Sequence, residues 1–330
     1  MKNRNKMILW GIGFTALLLI IPKASIAAST KFKAVSFLPK INYVTWGLTR
    51  LADIVNERSG GQLTIDFLGG PEVIPGEDLP EAVRKGVVQI VAVPGAFARG
   101  QVPEANAIHL SQFDPWEEKA RGFNAYMNKA FNEKMNSYYL GRCGDAGEAF
   151  FNIFTNIKVE HPQALKGQRS ASFGVTAVAN AALGLESVLI SIPDTYTALE
   201  RSMIDSYALP YQTVAAFGLQ EVTKYLIEPG FFRSPAVILV NLDAWNNLQP
   251  NLQDLLLKAQ DEVERGFVKT ADEVRGQTKG ALLKGGVKLI EFSGADQQWY
   301  LDQIYKTAWT FFQKSVSPEA YSELKDLISK

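Results

Sequence analysis

Two similar α/β lobes braced by one long helix make up the fold class that this sequence predicts. Three observations predict it: a strand, helix, strand unit near residue 30, a helix-to-strand pattern that recurs 116 residues later, and an unbroken apolar stripe of helical period over residues 250–283.

The first unit begins with "KFKAVSFLP", a strand of alternating character. "NYVTWGLTRLADIVNERSGG" then sets Val44, Leu48, Leu51, Ile54 and Val55 on one helical face and stops at Gly60 and Gly61, and "QLTIDFLGG" supplies the second strand. Next comes "EAVRKGVVQIVAVP" (Glu81 to Pro94), which aligns without a gap to "TALERSMIDSYALP" (Thr197 to Pro210). The alignment pairs Ala82 with Ala198, Val88 with Ile204, Ala92 with Ala208 and Pro94 with Pro210. Each copy follows its own strand and helix, so two lobes are the economical reading. The stripe from Pro250 to Leu283 holds Leu252, Leu255, Leu256, Ala259, Val263, Phe267, Ala271, Val274 and Leu282, with no proline inside. As one helix it would run ~50 Å, longer than a single lobe of this size, and so it would brace both. Gly266, Gly276 and Gly280 are the points where it would kink or divide.

The first 27 residues stand apart. "MKNRNK" is a basic start, Met7 to Ile21 is a 15-residue apolar run ended by Pro22, and "SIA" closes on small residues. This is the pattern of a cleaved secretory signal peptide, since a membrane anchor would need ~20 apolar residues. Its removal takes away Lys2, Arg4, Lys6 and Lys23 and leaves 30 basic against 34 acidic residues, a net charge of about −4. Such a chain has no basic stripe for nucleic acid or an anionic membrane surface. The expected address is the periplasm.

Motifs for catalysis are missing. The two histidines, His109 and His161, stand apart from each other and from the single cysteine, Cys143. No metal-binding, nucleophile-elbow or phosphate-loop pattern occurs, and no metal or cofactor is implied. A lobed, exported chain without catalytic groups points to a ligand clamp, because ligands of α/β sheets bind beyond the carboxyl ends of the strands.

"LKGQRSASFG" (residues 165–174) is the unusual strand. It runs into the helix pattern "VTAVANAALG", yet small and polar residues stand where a buried strand would carry Val and Ile. It reads either as an anion-holding turn or as the wall of a pocket.

The segments "SGGQLTIDFLGGPEVIPGEDLPEAVRKGVVQI", "ALKGQR", "IPDTYTALERSMID" and "VNLDAWNNLQPNLQDLL" resemble the extracytoplasmic substrate-binding proteins of tripartite ATP-independent periplasmic (TRAP) transporters. The resemblance runs over essentially the whole mature chain. It implies a two-lobed periplasmic binding protein-like fold with crossing strands and a long helix spanning both lobes. Residues 28–153 plus 237–277 would form the first lobe, and 154–236 plus 278–330 the second. The lobes would close over a small organic solute and deliver it to the TRAP permease membrane subunits, which an ion gradient drives. The alternatives are a binding protein of an ATP-driven importer and an exported enzyme or sensor component using the same cleft.

In that family the fourth residue after the LKG glycine is typically an arginine that pairs with the ligand carboxylate. Counting from Gly167 puts Ala171 there, whereas a two-residue deletion in the strand would make Arg169 the family arginine. The expected ligand-binding residues are Arg169 and Ala171 with an aromatic set at strand ends: Phe37, Tyr43, Phe97, Phe151, Phe173, Tyr207 and Tyr211. Such a wall favours an apolar or aromatic ligand over a short dicarboxylate.

Overall fold

A computed structural model describes residues 29–144, 151–233 and 236–329. The segment read as a signal peptide lies outside the described residues. So do residues 145–150 and the side chain of Tyr43.

Four strands come before the first crossing between lobes: β1 (Thr30–Ser36), β2 (Leu63–Gly69), β3 (Ile90–Pro94) and β4 (Ser137–Cys143). Five follow it: β5 (Asn152–Thr155), β6 (Arg169–Ser172), β7 (Glu186–Leu189), β8 (Ser206–Leu209) and β9 (Tyr225–Glu228). The chain then returns through β10 (Ala236–Asn241) and ends its strands with β11 (Lys288–Glu291). One sheet has the order β2-β1-β3-β10-β4, the other β11-β9-β5-β8-β6-β7.

Each sheet is parallel apart from one strand brought in from the other lobe. β10 runs antiparallel to β3 and β4, and β5 runs antiparallel to β8 and β9. The crossings are therefore β4 to β5 and β9 to β10. They meet at an antiparallel bridge between Phe151 and Phe231, whose backbones exchange hydrogen bonds of 3.1 and 2.9 Å. Gly230 permits this approach, since a Cβ there would lie 2.8 Å from the Phe151 carbonyl oxygen.

The internal repeat is structural. Helix Leu79–Arg84 and helix Thr195–Glu200 lie 116 residues apart at both ends, and β3 and β8 follow them at the same offset. Both strands sit between one parallel neighbour and the imported antiparallel strand. The paired Ala92 and Ala208 are both fully buried, because each faces helices across the middle of its sheet.

Helix Tyr43–Arg58 begins where the Asn42 side chain accepts from the Val44 N–H, and all five residues of its expected apolar face are buried. The long stripe is one helix, Pro250–Lys284, of 35 residues. Leu252, Leu256, Ala259 and Val263 pack into the first-lobe core, Phe267 and Ala271 pack with Trp46, and Leu282 enters the second-lobe core beside Tyr207 and Leu226. Its three glycines do not break it, because burial at both ends anchors it in the two cores.

A second connection lies on the opposite faces of the sheets. Helix Gly294–Ser315 packs on helix Thr176–Leu183 of the second lobe and on the 3-10 segment Pro103–Leu110 of the first. The last helix, Pro318–Ile328, which the sequence groups with the second lobe, docks on the first. There Leu324 and Ile328 are buried, the Arg121 guanidinium donates to the Leu327 and Asp326 carbonyls, and the Gln112 N–H donates to that of Ile328.

Candidate ligand-binding cleft

Several of the expected wall residues stand just beyond the carboxyl ends of strands. Phe37 follows β1 and Phe97 lies in the 3-10 turn Gly95–Ala98 after β3; both are half-buried, with ring centroids 6.3 Å apart edge to face. Phe151 stands at the crossing with its ring stacked on Phe231 at 6.3 Å. Phe173 follows β6, where its backbone N–H donates to Thr176 Oγ1. Tyr43 opens the first helix.

The two tyrosines differ from each other. Tyr207 is fully buried in the second-lobe core, its ring stacked on Phe154 at 5.2 Å and its hydroxyl 2.8 Å from Thr223 Oγ1. Tyr211, just beyond β8, donates its hydroxyl to Glu228 Oε1 at 2.5 Å, and Lys279 of the spanning helix holds the other oxygen of Glu228 at 2.7 Å. The Arg275 guanidinium lies 5.1 Å from the Tyr211 ring centroid. Burial pushes the Tyr211 phenol above its ordinary range, so it remains a donor. Burial also pushes the Glu228 carboxyl upward, but Lys279 and Tyr211 outweigh it and hold that group below the usual value. This cluster borders a cavity of about 660 Å³ between the second lobe and the spanning helix.

Arg169 and Ala171 are set apart along one short strand. Arg169 is the first residue of β6, at the amino end, and its guanidinium grips Asp205 through two bonds of 3.0 and 2.8 Å. The Arg169 backbone N–H donates to the same carboxylate at 2.9 Å, and the Arg169 bonds hold the Asp205 carboxyl below its usual pKa. Ala171 is fully buried in one cluster with Phe154, Tyr207 and Tyr211.

Other arginines near the crossings are also engaged. Arg142 on β4 is buried against Glu118 and donates to the Ile108 carbonyl at 3.3 Å, while Arg233 pairs with Asp114 at 3.2 Å. Beside Arg142, Glu264 of the spanning helix accepts from the Arg142 N–H at 2.7 Å and from Gln260 at 3.1 Å. Burial raises the Glu264 carboxyl to about 7.

A second inter-lobe cavity, of about 320 Å³, joins the strand-end loops directly. Ala96 and Arg99 from the β3 side face Gly174 and Val175 from the β6 side, and Phe311 and Phe312 close it.

The family model of bacterial extracellular solute-binding proteins, family 7, matches residues 35–315. The chain belongs to this family. A monocarboxylate 2-oxoacid-binding periplasmic protein of Nostoc sp. is 24% identical over 285 residues, which is 83% of this chain and 76% of the relative. A TRAP periplasmic solute-binding protein from Desulfovibrio salexigens with bound orotic acid matches with a TM-score of 0.78 at 18% identity, covering 90% of this chain and 97% of that one. An extracytoplasmic solute receptor of Bordetella pertussis binding pyroglutamic acid gives 0.76 at 18%, covering 91% and 100%. The two-lobed TRAP binding-protein fold is thereby established, and members of the family are receptors for small organic solutes.

For this family-7 protein, reading the sequence named the strand-end aromatics and missed Arg99, Asn106 and His109, which line the smaller cavity. A signal for Arg99 was present, because "VAVPGAFARG" continues past a strand end in the repeat that positions Tyr211. Asn106 and His109 carried none, since their placement depends on how segment Pro103–Leu110 packs under helix Gly294–Ser315.

Proposed function

We propose that this chain captures a small organic solute with an apolar body and at most one carboxylate in the cleft between its lobes, and hands it on unchanged to TRAP permease subunits in the membrane. It works in the periplasm after loss of residues 1–27, and it acts by binding, not turnover. Two α/β lobes, 28–153 plus 237–277 and 154–236 plus 278–330, the last helix of the second stretch docking back on the first lobe, close on the ligand with Phe37, Tyr43, Phe97, Phe151, Phe173 and Tyr211 near its wall.

The observation that carries the ligand class is the fate of the arginine. Ala171, at the family position, offers no donor. Arg169 is at the amino end of β6, three residues or ~10 Å from the strand's carboxyl end, and is occupied by Asp205. A dicarboxylate or sugar acid would give up hydration for an incomplete set of partners, a net cost. Relatives that bind a monocarboxylate 2-oxoacid, orotic acid and pyroglutamic acid show that the fold accepts ligands with a single carboxylate, beside others that bind a C4-dicarboxylate or galacturonate.

Mass spectrometry of the small molecule retained through purification tests this, followed by calorimetric titration of monocarboxylates, C4-dicarboxylates and hexuronates. The expected compound has an apolar body and carries no more than one carboxylate. Tight binding of C4-dicarboxylates or hexuronates that Arg169→Ala abolishes would overturn the reading and make Arg169 the family arginine.

A further inference from the structure

With Ala171 mute and Arg169 held by Asp205, a carboxylate in the cleft needs a cation from elsewhere. Arg142, paired with Glu118, and Arg233, paired with Asp114, are structural. Arg275 is engaged with Tyr211, its guanidinium 5.1 Å from the ring centroid, in the cavity between the second lobe and the spanning helix. Arg99 differs from all of them. It is exposed, its Nη1 donates at 2.9 Å to the Ala96 carbonyl of its own turn, and among the described residues it forms no ion pair.

Arg99 also stands where a ligand would meet it. It caps the 3-10 turn after β3, at the carboxyl end of that strand, and lines the 320 Å³ inter-lobe cavity. Asn106 and His109 line the same cavity. The His109 ring Nδ1 sits 3.1 Å from the Arg233 carbonyl oxygen, which fixes the proton on that nitrogen and orients the ring. The opposite wall is apolar: Val175, Val178, Ala308 and Phe312, with Phe311 still 54% exposed and available for a ligand to cover. The cavity thus has a cationic, hydrogen-bonding end on the first lobe and an apolar end built from the second lobe and helix Gly294–Ser315.

We propose that Arg99 is the carboxylate-binding residue of this protein, so that the ligand's acid group is held by the first lobe and its apolar body lies against Val175, Val178 and Phe311. This rests on the reading of the ligand as a small monocarboxylate in the inter-lobe cleft. Its physical basis is that a guanidinium already set by one hydrogen bond to its own turn presents the rest of its fork without first breaking an ion pair. Closure brings the apolar wall over the bound acid, which removes water from the charged pair and strengthens it.

The test uses the mature full-length protein and a fixed panel by calorimetry: 4-methyl-2-oxopentanoate, phenylacetate, orotate and pyroglutamate, the primary amide of each, and succinate. Wild type is expected to prefer acids to their amides, and Arg99→Gln to weaken the acids by roughly 10- to 100-fold, the loss of one charge-assisted pair, while leaving the amides within about twofold. Arg99→Lys should recover part of the loss, since an ammonium keeps the charge without the fork. Melting of ligand-free Arg99→Gln should match wild type, as expected for an exposed side chain, and confirms that the variant is folded. Unchanged acid affinity in Arg99→Gln would overturn the assignment of Arg99 while leaving the monocarboxylate reading in place. Binding of succinate but of no monocarboxylate by wild type would overturn that reading, and this assignment with it.

Discussion

Arg169 shows how one residue can satisfy a motif and still serve the fold. Its fork ties the start of β6 to Asp205, and the Asp205 N–H in turn donates to the Arg169 carbonyl at 2.8 Å. The guanidinium is 42% exposed, so solvent screens the pair and its net contribution to stability is small. Arg169→Ala is expected to lower stability only slightly in urea titration, because Asp205 keeps its bond from the residue 169 N–H. A larger loss would mean that the staple sets the strand register.

Glu264 belongs to the same scale and makes a pH prediction. Its folded carboxyl is raised to about 7 by burial, against lowering contributions from the Arg142 N–H, Gln260 and the charges of Arg142 and Lys119. Between its ordinary value and 7 the folded state binds the extra proton, so stability falls as pH rises through that window and levels off above it. The change is on the order of 3 kcal/mol. Glu264→Gln keeps an acceptor for the Arg142 N–H and should remove this slope, raising stability above pH 7. Parallel melting curves for the two proteins from pH 4.5 to 8 would rule out the assignment.

At the scale of elements, the contact between β4 and the spanning helix decides how the first crossing is held. A Cβ at Gly141 would overlap Glu264 Oε1 and lie 2.7 Å from Gln260 Nε2. Gly141→Ala should therefore cost about 1–3 kcal/mol by displacing the Glu264 and Gln260 side chains from their bonds to the Arg142 backbone, measured by chemical denaturation. The elements themselves were largely legible in the sequence, because each follows a periodic pattern that burial enforces. The helix Pro250–Lys284 continues through three glycines as its stripe requires, and the repeat of Leu79–Arg84 in Thr195–Glu200 keeps its 116-residue offset into the strands. The docking of Pro318–Ile328 across the lobes was not legible, since an amphipathic helix states that it has a partner without stating which one.

At the scale of the whole molecule, the chain passes between lobes at the Phe151–Phe231 bridge, through the spanning helix and through the C-terminal helices. These connections leave the strand ends of both lobes facing one another. Ligand binding is expected to draw the lobes together about the bridge, which small-angle scattering would record as compaction. Ligand at 100 times its dissociation constant should add ~2.7 kcal/mol to stability, a melting shift of a few degrees for a chain of this size. A ligand that gives the shift without compaction would show binding to lobes already closed.

Sequence alone determined the two lobes, the brace between them and the strand-end aromatics, because periodicity, turn residues and an internal repeat are local properties that survive without coordinates. Only the tertiary structure decided what the arginines do. Whether a guanidinium meets a ligand or a neighbouring carboxylate depends on which side chain lies within ~3 Å across strands and lobes. Asp205 stands 36 residues from Arg169 along the chain and at hydrogen-bonding distance in space. The same holds for the cavity beside Arg99, whose walls come from segments more than 200 residues apart and exist only once helix Gly294–Ser315 packs across both lobes.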